Sequence, residues 1–255
     1  MTVFVEDGVR AVLLSEDPAL RGRFDETYPS VWPEYNLHSD VLSGLWPRLY
    51  RRFPGFQFVL ISAETGQLLA RGNTVPFEWD GSGDGLPEGI DALAEAALGD
   101  GDLRAPNALS AMAAEVPPEH RGKGLGTLLL KAMSAVGAAN GLGYLVAPVR
   151  PSRKEQYPLT PIEAYAAWKA ADGRLFDPWM RLHENLGARV VKPAPHSLRI
   201  SGTVGEWESW TGIEFPASGT YVFPRGLSTL LVDRDADFGL YWEPNVWMQH
   251  LTPRR

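Results

Sequence analysis

The 255-residue chain contains no cysteine. That excludes a thiol nucleophile, disulfide cross-links and thiolate-bound metal. It also lacks any apolar run near the roughly 18 residues that a membrane span requires. The opening stretch, "MTVFVEDGVRAVLLSEDPAL", has neither the basic start nor the apolar middle of a signal peptide. These absences fit a cytoplasmic protein with no membrane partner, the location expected here. Positive charge is in the minority, with 24 Lys and Arg against 31 Asp and Glu and a net charge of -7. No nucleic-acid partner is expected, because phosphate binding needs a basic face. Hydrophobic residues make up 44% of the chain, enough for a substantial core, and the 9 tryptophans are concentrated late, which suggests an aromatic packing layer or pocket there.

The elements alternate. Val9–Leu14 reads as a strand, and Ser39–Phe53 has helical spacing, with Ser39 placed to cap it and Pro47 placed to kink it. Phe56–Ser62 and Leu68–Phe77 form a hairpin pattern. The loop Asp80–Asp91 partly follows a calcium-loop template, but an aspartate stands where a bidentate glutamate belongs, so it reads as a solvated loop and no metal is expected. A short helix over Ile90–Leu98, a strand over Ala108–Val116, a helix from Leu125 and a strand over Tyr144–Val149 follow. Thr160 and Glu163 have capping-box spacing before a helix expected to run to Gly173. Asp177, Pro178 and Gly187 have the cap, first-turn and stop positions of another helix, before a strand at Arg189. From His196 onward the chain is strand-like. The expected organisation is a mixed α/β domain over residues 1–195, with a β-rich extension over 196–255 packed on it.

The most informative stretch is "EVPPEHRGKGLGTLLLKAM", Glu115 to Met133. Gly122, Gly124 and Gly126 allow close approach to the backbone. Leu125, Leu128, Leu129, Ala132, Met133 and Val136 then recur at helical spacing. Free N–H groups and the positive end of the helix dipole face the loop, beside Arg121 and Lys123. This pattern predicts an anion site, with a diphosphate the best fit. It matches neither the P-loop template nor Gly-x-Gly-x-x-Gly, since Thr127 stands where the third glycine would fall. The alternative is a turn in which the glycines only let a strand meet a helix.

The same stretch resembles the pyrophosphate-binding segment of the GNAT superfamily, the acyl-CoA-dependent N-acyltransferases, whose pattern Arg/Gln-x-x-Gly-x-Gly/Ala is met by Arg121, Gly124 and Gly126. "WMRLHENLGARVV" resembles a second motif of that family, a helix ending in Leu-Gly before a strand. The two occur in the family's order across Ala108–Val191. The resemblance implies a mostly antiparallel mixed sheet, splayed into a V and flanked by helices. It implies acetyl-CoA as co-substrate, with its diphosphate on the segment Arg121, Gly122, Lys123, Gly124, Leu125, Gly126 and Thr127. Its pantetheine would pair along Leu109–Val116, and the Val116 N–H would polarise the thioester carbonyl. A small-molecule amine would then attack directly. His183 stands where many members carry a tyrosine acid, and Glu115 adjoins the acetyl position as a candidate base. Glu243, with Asn245 and His250 nearby in sequence, is another candidate. Tyr157, Tyr165 and Asp177 are further candidates for lining the cleft. A second reading is a non-catalytic acyl-CoA-binding or interaction module. The tail has three roles open to it: completing the pocket, covering a sheet edge, or forming a homodimer interface.

Overall fold

A computed structural model describes residues 3–28, 30–101 and 105–251. Among these residues ten strands form one sheet: β1 (Val5–Glu6), β2 (Val9–Leu13), β3 (Gln57–Ser62), β4 (Leu68–Phe77), β5 (Ala108–Glu115), β6 (Tyr144–Val149), β7 (Arg189–Gly202), β8 (Gly219–Tyr221), β9 (Leu230–Asp233) and β10 (Phe238–Leu251). The spatial order is β1-β2-β3-β4-β5-β6-β10-β9-β8, with β7 on the other flank of β10. Every pairing among the described strands is antiparallel except β5 with β6. Among the described residues no helix is long and apolar enough to cross a membrane.

The helices are α1 (Ala19–Thr27), α2 (Leu42–Arg52), α3 (Ile90–Leu98), α4 (Leu125–Ala139), α5 (Ile162–Ala166), α6 (Pro178–Asn185) and α7 (Val204–Thr211). Strand alternation sorts the sheet into two faces. Ala11, Phe58, Leu60, Leu109, Val246 and Met248 pack with α4, α5 and α6. Val75, Val146, Ile200, Tyr241 and Trp247 pack with α2, α3 and α7, while Val59 and Ile61 meet α1. Trp207, Tyr35, Phe223 and Tyr241 form edge and stacked ring contacts within the second layer. Several of the late tryptophans therefore serve as core.

Three local expectations change. The capping box at Thr160 does not form: α5 has no side-chain cap and stops at Ala166. Instead Lys169 bridges Leu175 around Gly173, whose φ is +79°, and Tyr157, Tyr165, Trp168 and Phe176 cluster as rings. Aromatic packing prevails over local helix propensity there. Asp91 leaves the Asp80 loop, is buried at the start of α3, and accepts a hydrogen bond from the Arg199 N–H. Finally, the division expected at Pro195 falls inside β7, and β10 from the tail lies between β6 and β7. The last sixty or so residues thus supply an interior strand of the same sheet.

Candidate active site

β5 and β6 are the only parallel pair among the described strands, and they pair over just Ala108–Ser110 and Tyr144–Val146. Beyond that they part. Glu115 at the end of β5 remains paired with Arg71 of β4, and Val149 at the end of β6 with Val246 of β10. Each arm of the V is held by its outer neighbour. The inner edge of β5 from Ala111 to Glu115 faces the gap, so only this part of the expected Leu109–Val116 stretch has an edge to offer an extended ligand.

A bulge sharpens the geometry. Asn73 opposes Ala113 while Thr74 opposes Ala111, which makes Met112 the extra residue. Leu109 and Ala111 pack on the α4 side; past the bulge, Ala114 and Val116 do so instead. Parity has shifted by one, and Glu115 is turned to the α1 and α2 side. There the Trp32 Nε1–H donates to one carboxylate oxygen at 2.9 Å, and Arg71 pairs with the other. Arg71 also bonds Asp25 and lies over the Phe24 ring, 4.7 Å from its centroid. Both oxygens of Glu115 are therefore engaged, with the residue only 5% exposed.

The glycine loop opens at the mouth of the V. Pro118–His120 form a single 3-10 turn, and His120 is buried against the Tyr28 hydroxyl at 2.9 Å, anchoring the loop to the end of α1. Gly122 and Gly124 have φ of +76° and +77°, with open space where a side chain would begin. Gly124 ends the loop as the N-cap of α4, and no side chain caps that helix. The amides of Gly122, Lys123, Gly124, Leu125 and Gly126 donate to no acceptor among the described residues, whereas Thr127 N–H is bonded to Gly124 O at 3.0 Å. Arg121 and Lys123 are exposed beside them. Such an array of inward N–H groups and cationic side chains at a helix start suits a diphosphate. Gly126 has a separate reason to be glycine: a β-carbon there would lie 2.9 Å from the Trp179 ring.

That contact seats α6 on the first turn of α4. Asp177 caps α6 as expected, accepting from Trp179 N–H and Met180 N–H. It also accepts from the Tyr165 hydroxyl at 2.9 Å and the Arg153 N–H, so Asp177 and Tyr165 are structural anchors, as Tyr157 is within the ring cluster. One turn beyond Trp179 comes His183, edge-on to that ring and 1% exposed. Its Nδ1 lies 2.9 Å from Nε2 of His250 on β10, while its own Nε2 is buried without a partner. Burial pushes the His183 pKa down to about 3, and the neighbouring His250 adds to the effect. Burial lowers His250 to about 4. Both rings are neutral at physiological pH.

On the α2 side, buried Glu243 accepts hydrogen bonds from Asn36 Nδ2 at 2.8 Å and Arg150 Nε at 2.9 Å. Tyr35 and Tyr241 complete this cluster, whose Arg150 directly follows β6. The segment Trp32–Asn36 thus touches Glu115 on one arm of the V and Glu243 beside the other. Arg71, Trp32 and Arg150 carry no signal in the sequence, because their partners lie 44, 83 and 93 residues away. No local pattern marks contacts of that span.

The fold and motifs find counterparts among known proteins. No family model matches the chain. The arginine N-acetyltransferase avaD of Aspergillus versicolor is 29% identical over 257 aligned residues, covering 89% of this chain and 88% of that one. The loading GNATL domain of CurA from Lyngbya majuscula superposes with a TM-score of 0.58 at 18% identity, covering 96% of both chains. The GphF GNAT-like decarboxylase, solved with isobutyryl-CoA, gives a TM-score of 0.57 at 18% identity, covering 96% of this chain and 99% of that one. The chain has a GNAT-like fold. The GNAT sheet, with its parallel pair splayed beyond three residue pairs, accounts for the V between β5 and β6. At these identities the two structural likenesses speak for the GNAT fold alone, since one fold hosts several chemistries.

Proposed function

We propose that the chain is an acetyl-CoA-dependent N-acetyltransferase that acetylates the primary amine of a small-molecule acceptor. The observation that carries this reading is the uncapped amide array from Gly122 to Gly126, set at the mouth of the β5–β6 gap. The array and the flanking Arg121 and Lys123 would hold the diphosphate. The inner edge of Ala111–Glu115 would order an extended thioester arm, and the Val116 N–H at its end would polarise the carbonyl. Bound acetyl-CoA supplies an activated acyl group.

The reaction needs no covalent enzyme intermediate. The acceptor nitrogen attacks the thioester carbon, and its new N–C bond replaces the C–S bond. One proton leaves the nitrogen and ends on sulfur, giving the N-acetyl product and free CoA thiol. His183, neutral and with an unpartnered Nε2, would carry that proton. Glu115, with both oxygens held by Trp32 and Arg71, would act by fixing the end of β5. Arginine is the first amine to test because the curated relative is named for it.

The test is CoA-thiol release from acetyl-CoA with a panel of small amines that includes arginine, with the acetylated product identified by mass. Amine-dependent release supports the proposal. Acetyl-CoA binding with no turnover on any amine would favour a non-catalytic binding module, and no binding at all would remove both readings.

A further inference from the structure

A cavity of about 470 Å3 lies on the α5 side of the sheet, where β10 runs on past its pairing with β6. No residue of the glycine loop, of Ala111–Glu115 or of α6 lines it, so its walls are not those of the β5–β6 gap. Strand alternation builds one wall. Tyr241 and Glu243 face the α2 layer, which turns Leu240 and Trp242 the other way, into the cavity. Leu231, the partner of Leu240 on β9, joins them and is exposed there. The His196 ring lies 5.1 Å from that of Trp242 and supports the indole. The floor is Lys154, which is 1% exposed. Its Nζ donates to Tyr157 O at 2.7 Å and to Leu227 O at 2.6 Å. The residues after these two carbonyls, Pro158 and Ser228, both line the cavity, so Nζ sits where two walls meet. An ammonium has three N–H groups, and one is left after these bonds. Among the described residues no carboxylate pairs with Lys154, and the Tyr165 ring offers only its face, with the centroid 5.7 Å from Nζ. Burial lowers the Lys154 pKa to about 8, the direction an unpaired buried ammonium takes. A buried charge is costly unless it is paired, so this floor favours an anion. The charge is single, and the exposed Glu163 stands on the rim, so a monoanion fits better than a phosphate dianion.

We propose that this cavity is a second binding site, for a small carboxylic acid with an apolar body. The carboxylate accepts the third N–H of Lys154, and the body lies against Trp242, Leu231 and Leu240. A charge-assisted hydrogen bond at the floor and an indole on the wall are the few polar and many apolar contacts that a small-molecule site uses. Strands β9 and β10 supply that wall, which gives the late part of the chain a binding role besides its place in the sheet. The site goes beyond the acetyltransferase reading and does not rest on it.

The test is calorimetric titration of the full-length protein at pH 7 with hexanoate, phenylacetate and indole-3-acetate, each beside its neutral amide. At least one acid should bind one to one, about tenfold more tightly than its amide, because the amide keeps the shape and loses the charge. Saturating acetyl-CoA should leave that binding unchanged. Lys154→Gln should abolish the preference for acid over amide. Because Lys154 also ties two backbone carbonyls together, Leu231→Glu is the second variant. At an exposed strand position it should keep the fold, and its charge should weaken the acid about tenfold more than the amide. Three results would each overturn the proposal: no acid that outbinds its amide, acid binding that acetyl-CoA displaces, or an acid preference that survives in either folded variant.

Discussion

Replacing Gly124 with glutamate tests the proposed diphosphate bed, and the structure allows two effects to be separated. Gly124 has φ of +77° and nothing within 4 Å of the point where a β-carbon would stand. Any L-residue other than asparagine or aspartate there costs about 1–2 kcal/mol from backbone strain, with no steric clash to add. In a chain of this size each kcal/mol shifts Tm by about 2–4 °C. Gly124→Ala should therefore melt about 2–8 °C lower and remain folded. Gly124→Glu carries the same strain plus a negative charge beside the amides. At about 4 Å, and an effective dielectric between that of water and that of a protein surface, two unit charges repel by about 1–4 kcal/mol. Acetyl-CoA affinity should fall roughly 5- to 700-fold below that of the alanine variant. Calorimetric titration with acetyl-CoA, paired with thermal melts of both variants, measures the two effects. A folded Gly124→Glu that binds within about twofold of Gly124→Ala would refute the placement of the diphosphate.

The two arms of the V offer three more tests. His183→Phe should lower kcat by about 100-fold or more while changing the acetyl-CoA Kd little; steady-state kinetics and titration calorimetry check this, and unchanged turnover removes His183 from the mechanism. Glu115→Gln should leave the buried Arg71 partly uncompensated, with an expected loss of about 3 kcal/mol in urea unfolding, because breaking one partner of a buried pair strands the other. Stability should also fall as pH drops from about 6.5 towards 4, because unfolded histidines protonate near 6.5 while folded His183 and His250 stay neutral down to about 3 and about 4. In that window the unfolded state binds more protons, which gives a loss of about 1.4 kcal/mol per pH unit for each histidine. Asp91, raised to about 6 by burial, works in the opposite direction below that pH and offsets part of one histidine. His250→Gln should flatten the slope of denaturant midpoint against pH.

The legible part of the site was the part written in local backbone. Loop glycines with positive φ, an apolar helix face and a Pro-led cap with a Gly stop are properties of a few adjacent residues, and β5, α4, β6 and α6 lie where those signals put them. The local grammar failed at Thr160, where four aromatic rings drew the chain away from a longer helix. It was also silent about β10, whose residues read simply as strand, although they enter between β6 and β7 and bring His250 to His183.

Adjacent residues were thus enough to specify a glycine loop before an uncapped helix, an α/β alternation and the cap and stop of α6. What each candidate side chain can do was settled by long-range packing. One extra residue at Met112 turns Glu115 to the other face of the sheet, where Arg71 and Trp32 take its oxygens. A side chain 67 residues away holds Nδ1 of His183. Backbone conformation is set by neighbours in the chain, whereas protonation, hydrogen-bond occupancy and desolvation are set by neighbours in space.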